Sequence, residues 1–313
     1  MNAGAEAHLS SVAARGQETV VSMVRQLSGA VMYPEAGNVR TNEKLWDVYA
    51  TEWDPSKEWV QSMARGSGLS ESPRVVGDEW APADHTRRVL DEWLLSIVTD
   101  GTKSACEIGC GGGRVARVLL AKAPSLERFT LFDVSKQMLA RARASLKDVL
   151  ALQKQTVVEF VHVDGDGDDA DPDSFADSTP RKYATRHRAS YDLVVCFDVM
   201  VHMDLHTVFK CLRRIRALLK PGGVAFVSTA NLLAPDGWAR FEVQSRATVG
   251  GFYFTTPDAV RLLVAKAGLA VLRESQPDPS NTYYNRDLLL VLGRSFEDDD
   301  ANDGDGGKST SSS

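Results

Sequence analysis

One stretch limits the folds open to this 313-residue chain more than any other: Ala105-Cys106-Glu107-Ile108-Gly109-Cys110-Gly111-Gly112-Gly113-Arg114. An apolar run carries an acid near its end, a glycine-rich turn follows, and Arg114-Val115-Ala116-Arg117-Val118-Leu119-Leu120 opens a helical pattern. Strand, glycine loop and helix, in that order, is how an α/β sheet brings bare backbone N–H groups up to a nucleotide-like ligand. Glycine is needed because a Cβ would block the approach and because some loop positions require φ > 0. Two ligand classes use such a loop. Dinucleotide sites read G-x-G-x-x-G/A, and here Arg114 stands in the sixth place, which does not fit. The pattern is instead E-x-G-x-G-x-G, with the acid two residues before the first glycine.

The rest of the chain alternates in the same way. Phe129-Thr130-Leu131-Phe132-Asp133 is a second apolar run ending in an acid, and a helical pattern follows from Ser135 to about Leu152. Residues 157–164 read as a third strand, 191–198 as a fourth, 224–229 as a fifth, 269–272 as the start of a sixth and 285–292 as a seventh. Helical patterns fall at 206–219 and from 257 to the break at Gly268, with none between the last two strands. Strands alternating with helices predict a doubly wound, mostly parallel sheet. The missing last helix makes the seventh strand antiparallel to the sixth.

The glycine pattern with its upstream Glu107 resembles motif I of the class I S-adenosylmethionine-dependent methyltransferases. Tyr191-Asp192-Leu193-Val194 and Leu219-Lys220-Pro221-Gly222-Gly223 also stand in that family's places, and the resemblance covers about residues 85–293. It implies a seven-stranded Rossmann-like sheet with an antiparallel last strand, and S-adenosyl-L-methionine as cofactor. Ligands of open α/β sheets bind at the carboxyl ends of the strands. By the resemblance, Glu107, Gly109, Cys110, Gly111 and Gly113 hold the methionine part, and Asp133 with its neighbour Val134 the ribose. Asp164 and Gly165 hold the adenine, and Phe197 and Asp198 lie near the sulfonium methyl.

Methyl transfer from a sulfonium is an in-line displacement whose main demand is alignment. A base is needed only when the acceptor must lose a proton. The candidate base is His202, just after the fourth strand, with a structural histidine as the alternative. His202 and His206 stand at i, i+4, but Met203 occupies the place of the glutamate in H-E-x-x-H, so no zinc site is expected. The acidic run 165–173 invites a calcium-loop reading, but its sixth position is Asp169 and its twelfth Phe175, so no metal is expected there either.

For the acceptor, the net charge of −6 gives no overall pull toward nucleic acid. Phe197-Asp198-Val199-Met200 is not the Asn/Asp-Pro-Pro-Tyr run common in nucleic-acid and glutamine N-methyltransferases. A small-molecule acceptor methylated on O, N or S is favoured. The alternatives are a protein methyltransferase and a non-catalytic, cofactor-binding regulatory module. Candidate pocket residues are Trp46, Tyr49 and Trp80 before the first strand, Trp238 and Tyr253 after the fifth, and Tyr283, Tyr284 and Arg286 between the last two. Arg240, Arg246 and Arg286 are candidates to hold an acidic acceptor.

Residues 1–83 read as an N-terminal helical and aromatic cap, poorly ordered over the first 40 or so, and 84–295 as the methyltransferase domain. A surface insertion spans 165–189, and 296–313 is a disordered acidic, serine-rich tail. Five of the six tryptophans fall between Lys44 and Trp93, as packing onto the core domain or as a lid over the site. No apolar run approaches the ~20 residues needed to span a bilayer. The four cysteines have no metal-ribbon spacing and read as free, mostly buried thiols. Glu6 and Glu18 argue against an organelle transit peptide, so the expected location is the cytoplasm.

Overall fold

The computed structural model describes residues 38–153, 155–163, 187–244 and 251–295. The expectations for the first 37 residues, for the body of the insertion with Asp164 and Gly165, for Arg246 and for the tail therefore lie outside the described residues.

Seven strands form one sheet: β1 (Ser104–Ile108), β2 (Arg128–Asp133), β3 (Val157–His162), β4 (Tyr191–Cys196), β5 (Leu219–Ala230), β6 (Leu269–Glu274) and β7 (Asp287–Arg294). Their order is β3-β2-β1-β4-β5-β7-β6. β3, β2, β1, β4 and β5 run parallel, and β7 is antiparallel to both β5 and β6. The order reverses at β1, so the crevice between the ends of β1 and β4 is the topological switch point at which such sheets bind ligands.

Side chains alternate between the two faces with a period of two. Ala105, Leu131, Leu193, Val195, Phe226 and Leu289 enter one core with Val89, Leu90, Trp93 and Leu119. Cys106, Ile108, Phe132, Val194, Cys196 and Leu290 enter the other, with Met200, Val208, Leu212 and Ile215. Both faces are covered, and the central strands accordingly read as near-continuous apolar runs rather than alternating ones. All four cysteines are buried and free.

Ten α-helices are described. α1 (Asn38–Glu52) and α2 (Glu58–Gly66) form the cap. α3 (Ala83–Val89) continues through a π-helical turn, Leu90–Leu94, into a 3-10 turn, Leu95–Ile97. α4 (Arg114–Lys122), α5 (Lys136–Ser145), α6 (Lys147–Leu152), α7 (Leu205–Leu218), α8 (Pro235–Val243), α9 (Pro257–Lys266) and α10 (Thr282–Arg286) follow. Side-chain oxygens of Ser135, Asp204, Thr256 and Asn281 cap α5, α7, α9 and α10 by accepting from backbone N–H groups. α3 begins after Pro82, with Asp84 inside its first turn. α10 was not foreseen: Asn281 satisfies the N–H groups of both Tyr283 and Tyr284, which stabilises one short helical turn in what the sequence presents as a loop.

The cap has a small core of its own, with Leu45, Tyr49, Ala50, Trp53, Val60, Met63 and Val76 packed against Met138 of α5. The Asp47 carboxylate accepts from Ser135 Oγ at 2.6 Å and from Gln137 N at 3.2 Å, fixing α1 across the start of α5. Among the described residues no helix is long and apolar enough to cross a membrane.

Candidate functional site

A cavity of about 850 Å³, part of it open to solvent, lies outside the ends of β1, β2 and β4. The glycine loop forms one wall. Gly109 has φ +71°, and a Cβ there would lie 2.6 Å from Val199 Cγ2, so any other residue would push the β4 end out of place. Gly111 has φ +52° with nothing within 4 Å of its Cβ position, and it faces the cavity. The expected row of bare N–H groups is largely absent. Gly109 N and Cys110 N donate to Phe132 O, Gly113 N to Cys110 O, and Gly111 N to Asp133 Oδ2. What the loop provides is close approach and an oriented carboxylate.

That carboxylate belongs to the last residue of β2. Asp133 Oδ2 accepts from Gly111 N and Oδ1 from Ser135 N, each at 2.8 Å, which fixes the group while leaving lone pairs toward the cavity. Burial raises its pKa to about 6, against the opposing pull of those two N–H groups. Glu107, near the end of β1, also lines the cavity and is buried. Its Oε2 has no hydrogen-bond partner among the described residues, a costly state for a buried acceptor unless a ligand donor meets it. Burial, with Asp133 close by, pushes its pKa well above the ordinary value.

The opposite wall comes from the β4–α7 segment and the cap. Asp198 adopts φ +62°, which is strained for a residue with a Cβ. Its N–H donates to Ser228 Oγ at 2.8 Å, and its carboxylate meets Arg286 Nη2 at 2.9 Å and Arg114 Nη2 at 3.5 Å. Burial drives the Asp198 pKa up, but Arg286 and Arg114 together outweigh it and hold the carboxyl below its ordinary value. Arg114, the residue that breaks the dinucleotide pattern, thus turns its side chain into the site and donates to Gly77 O and to Tyr283 Oη.

His202 lies on a 3-10 turn after β4, edge-on to Trp46 at 5.1 Å and to Phe252 at 5.4 Å. Its Nδ1 is 2.9 Å from Gly251 O, an acceptor only, so Nδ1 carries the proton and Nε2 keeps a lone pair. Burial lowers its pKa to about 4, despite the opposing charge of Asp198. The imidazole is therefore neutral at physiological pH, with its lone pair on Nε2.

The cap closes this side. Asn42 Nδ2 donates to His202 O at 3.3 Å, and Trp46 and Trp80 line the cavity. Behind them Glu79 is a buried hub. It accepts from Tyr49 Oη, from Trp53 Nε1 at 3.0 Å and from Gly77 N at 3.0 Å. Burial raises its pKa to about 7.

Of the residues singled out in the sequence, Glu107, Gly109, Cys110, Gly111, Asp133, Val134, Phe197, Asp198, His202, Trp46 and Trp80 line the cavity. Others do not. Gly113 packs its Cα side against Ser145 and Leu146 of the α5–α6 corner. Tyr49 turns its hydroxyl inward to Glu79, and Trp80 Nε1 donates to that hydroxyl at 3.1 Å. Residues one apart on α10 point about 100° apart. Tyr283 accordingly supports Arg114 and packs its tilted ring against Phe197 at 4.9 Å, whereas Tyr284 joins Trp93 and Glu92 on the far side. Arg286 is buried in ion pairs with Asp198 and Asp287. Trp238 is 51% exposed on α8, and Tyr253 is half-buried beside Val201 O. Asn42, Val76, Gly112, Arg114, Met138, Val199 and Met203 were missed as lining residues. Val199 and Met203 lie in the run after β4 that the sequence already flagged. Asn42 and Val76 carried no local signal.

The comparison with known families bears on this frame. Residues 106–225 match the family described as a methyltransferase domain. Over that span the chain is similar to methyltransferases. It is similar to ubiquinone biosynthesis O-methyltransferases, at 27% identity over 129 residues for that of Vibrio parahaemolyticus, covering 41% of this chain and 44% of the relative. For the Aromatoleum aromaticum enzyme the identity is 24% over 155 residues, covering 49% and 55%. The chain thus spans about half the length of the curated relatives it matches. Among solved structures, the magnesium protoporphyrin IX methyltransferase of Synechocystis, crystallised with S-adenosylmethionine, shares the fold with a TM-score of 0.53 at 15% identity, over 84% of this chain and all of the other. The mitomycin 7-O-methyltransferase does so with a TM-score of 0.51 at 19% identity, over 82% and 65%.

Proposed function

We propose that this chain transfers a methyl group from S-adenosylmethionine to an O, N or S atom of a small-molecule acceptor. The observation that carries the cofactor assignment is the pair of buried carboxylates at the β1 and β2 ends. Glu107 Oε2 lacks a donor, and Asp133 is held by two backbone N–H groups with lone pairs to spare. A ligand with an ammonium group and a vicinal diol, such as S-adenosylmethionine, supplies the donors both require. When bound, that cofactor supplies an already activated methyl group.

The chain's own residues bind, orient and accept a proton. Asp133 and Val134 hold the ribose side, and Glu107 with the loop at Gly109, Cys110 and Gly111 holds the methionine side. Phe197 and Asp198 bound the space where an acceptor meets the methyl group. His202 keeps Nε2 as the proton acceptor for a hydroxyl acceptor, with its ring fixed by Gly251 O and Trp46. Alignment of this kind contributes up to ~7–11 kcal/mol to lowering a barrier. α1 lies across the cavity, which favours a small acceptor over a folded protein.

The reading is tested by incubating the full chain with radiolabelled S-adenosylmethionine and fractionated cell metabolites, with the product identified by mass. Label in a metabolite fraction supports it. Label confined to polypeptides would move the assignment to a protein methyltransferase, and cofactor binding without turnover on any fraction would move it to a regulatory module.

A further inference from the structure

Three guanidinium groups, those of Arg114, Arg240 and Arg286, act on the Asp198 carboxylate, and Asp287 lies beside Arg286 and Arg240. Arg286 is bound to both carboxylates, at 2.9 Å to Asp198 and 2.6 Å to Asp287, and Arg114 takes the second oxygen of Asp198 at 3.5 Å. Arg240 is left over. Its guanidinium carbon sits 3.9 Å from the centre of the Phe252 ring, and Arg286 approaches the same ring at 4.7 Å. Phe252 in turn packs edge-on against His202 at 5.4 Å. With one face on Phe252, Arg240 has five N–H donors in its plane, and among the described residues none of them meets a hydrogen-bond acceptor or an ion-pair partner.

We infer that Arg240 is the anchor for a carboxylate on the methyl acceptor, so that the acceptor is an organic monoanion with an aromatic or apolar body. Four observations support this. Of the three guanidinium groups only Arg240 has no ion-pair partner among the described residues, which matches a monoanion; a phosphate dianion would call on a second free cation, and Arg114 and Arg286 are already paired. The planar fork of a guanidinium fits a carboxylate with two parallel hydrogen bonds. Burial and the neighbouring Arg286 depress the Arg240 pKa to about 9, so it remains charged at neutral pH and an anion beside it would favour that charged form. Finally, aromatic rings lead outward from Arg240: Phe252 to Phe254 at 5.9 Å, Phe254 to Phe241 at 5.5 Å and Phe241 to Trp238 at 5.6 Å. Trp238 and Phe241 at the end of that row are 51% and 45% exposed, ready for an apolar body. The same unpaired guanidinium lies beside the proposed base, since Arg240 and Arg286 both oppose protonation of His202.

This inference rests on the methyltransferase reading only for calling the anion an acceptor. The subsite itself is tested separately. Benzoate and its neutral isostere benzamide are titrated by calorimetry into the full chain, with and without saturating S-adenosylhomocysteine. Benzoate is expected to bind at least about tenfold more tightly than benzamide. Arg240→Gln is expected to weaken benzoate at least about tenfold while leaving S-adenosylhomocysteine affinity within twofold, which shows that the variant is folded. Arg240→Lys is expected to recover part of the loss. Equal binding of benzoate and benzamide, absence of benzoate binding, or benzoate affinity unchanged in Arg240→Gln would each overturn the inference. Failure of S-adenosylhomocysteine to bind the wild type would instead contradict the cofactor reading, and Arg240-dependent benzoate binding without it would leave the anion subsite standing.

Discussion

The two walls of the cavity are built on different principles. The wall at the ends of β1 and β2 is made by two short backbone segments 22 residues apart: a glycine loop folded back on Phe132 O, and Asp133 oriented by the N–H groups of Gly111 and Ser135. The wall across from it is assembled from side chains that come from far apart in sequence. Asn42 reaches His202, Arg114 reaches Gly77, Asp198 and Tyr283, and Arg286 reaches Asp198. A wall of local backbone geometry suits a ligand common to many enzymes, while a wall of long-range side-chain contacts can be changed piecemeal to suit one acceptor.

The contrast can be broken or sharpened by substitution. The largest effect is expected from His202→Ala, which should lower turnover of a hydroxyl acceptor by ~10²–10⁴-fold while leaving cofactor affinity within twofold. Steady-state kinetics beside calorimetry checks the split, and retention of most activity would point to an amine or thioether acceptor. Because burial holds the His202 pKa at about 4, its protonation should add no acidic limb to the rate between pH 5 and 8.

Next comes Asp133→Ala, on the other wall. Hydrogen bonds to a charged group contribute ~1.5–3 kcal/mol each, so losing two should weaken S-adenosylhomocysteine by at least about a hundredfold. A drop smaller than tenfold would show that the β2 end does not hold the ribose.

A smaller effect, on stability, is expected for Gly109→Ala. Its Cβ would meet Val199 Cγ2 at 2.6 Å on a backbone at φ +71°, so overpacking should destabilise the chain by ~1–3 kcal/mol in urea unfolding.

The smallest is a slope. Burial raises the Glu79 pKa to about 7 from an ordinary value of 4.5. Between those values the folded chain keeps a proton that the unfolded chain has lost, so the contribution of Glu79 to stability declines as pH rises through that window. Glu79→Gln should make the decline between pH 6 and 7 shallower, leaving the part from buried Glu107 and the smaller parts from Asp133 and Asp287, both at about 6. Melting curves across that range measure it, and an unchanged slope in the variant would contradict the buried hub.

The sheet and the first wall were legible because their signals are local. An apolar run, an acid and glycines at fixed spacing specify a strand, an oriented carboxylate and a loop without reference to the rest of the chain. The second wall was legible only in part. Trp46 and Trp80 were found by composition, yet Tyr49 between them turned inward, because Glu79 two segments away supplies its partner. Of the tryptophans, Trp46 and Trp80 line the cavity, Trp93 packs in a sheet core and Trp53 in the cap's own core. Tyr284 was misplaced because the α10 turn depends on Asn281, and one residue of helical rotation sends it to Trp93. Arg114 appeared as an exclusion in a motif and proved to be a strut between the cap, Asp198 and Tyr283.

The most direct test of the central claim is calorimetric titration of S-adenosylhomocysteine into the wild-type chain at pH 7 and at pH 5. The account predicts one-to-one binding at pH 7. It also predicts affinity about tenfold weaker at pH 5, as Asp133 takes up a proton below about 6 and loses its acceptor charge. Absence of binding at pH 7, or binding that neither pH nor Asp133→Ala alters, would contradict it.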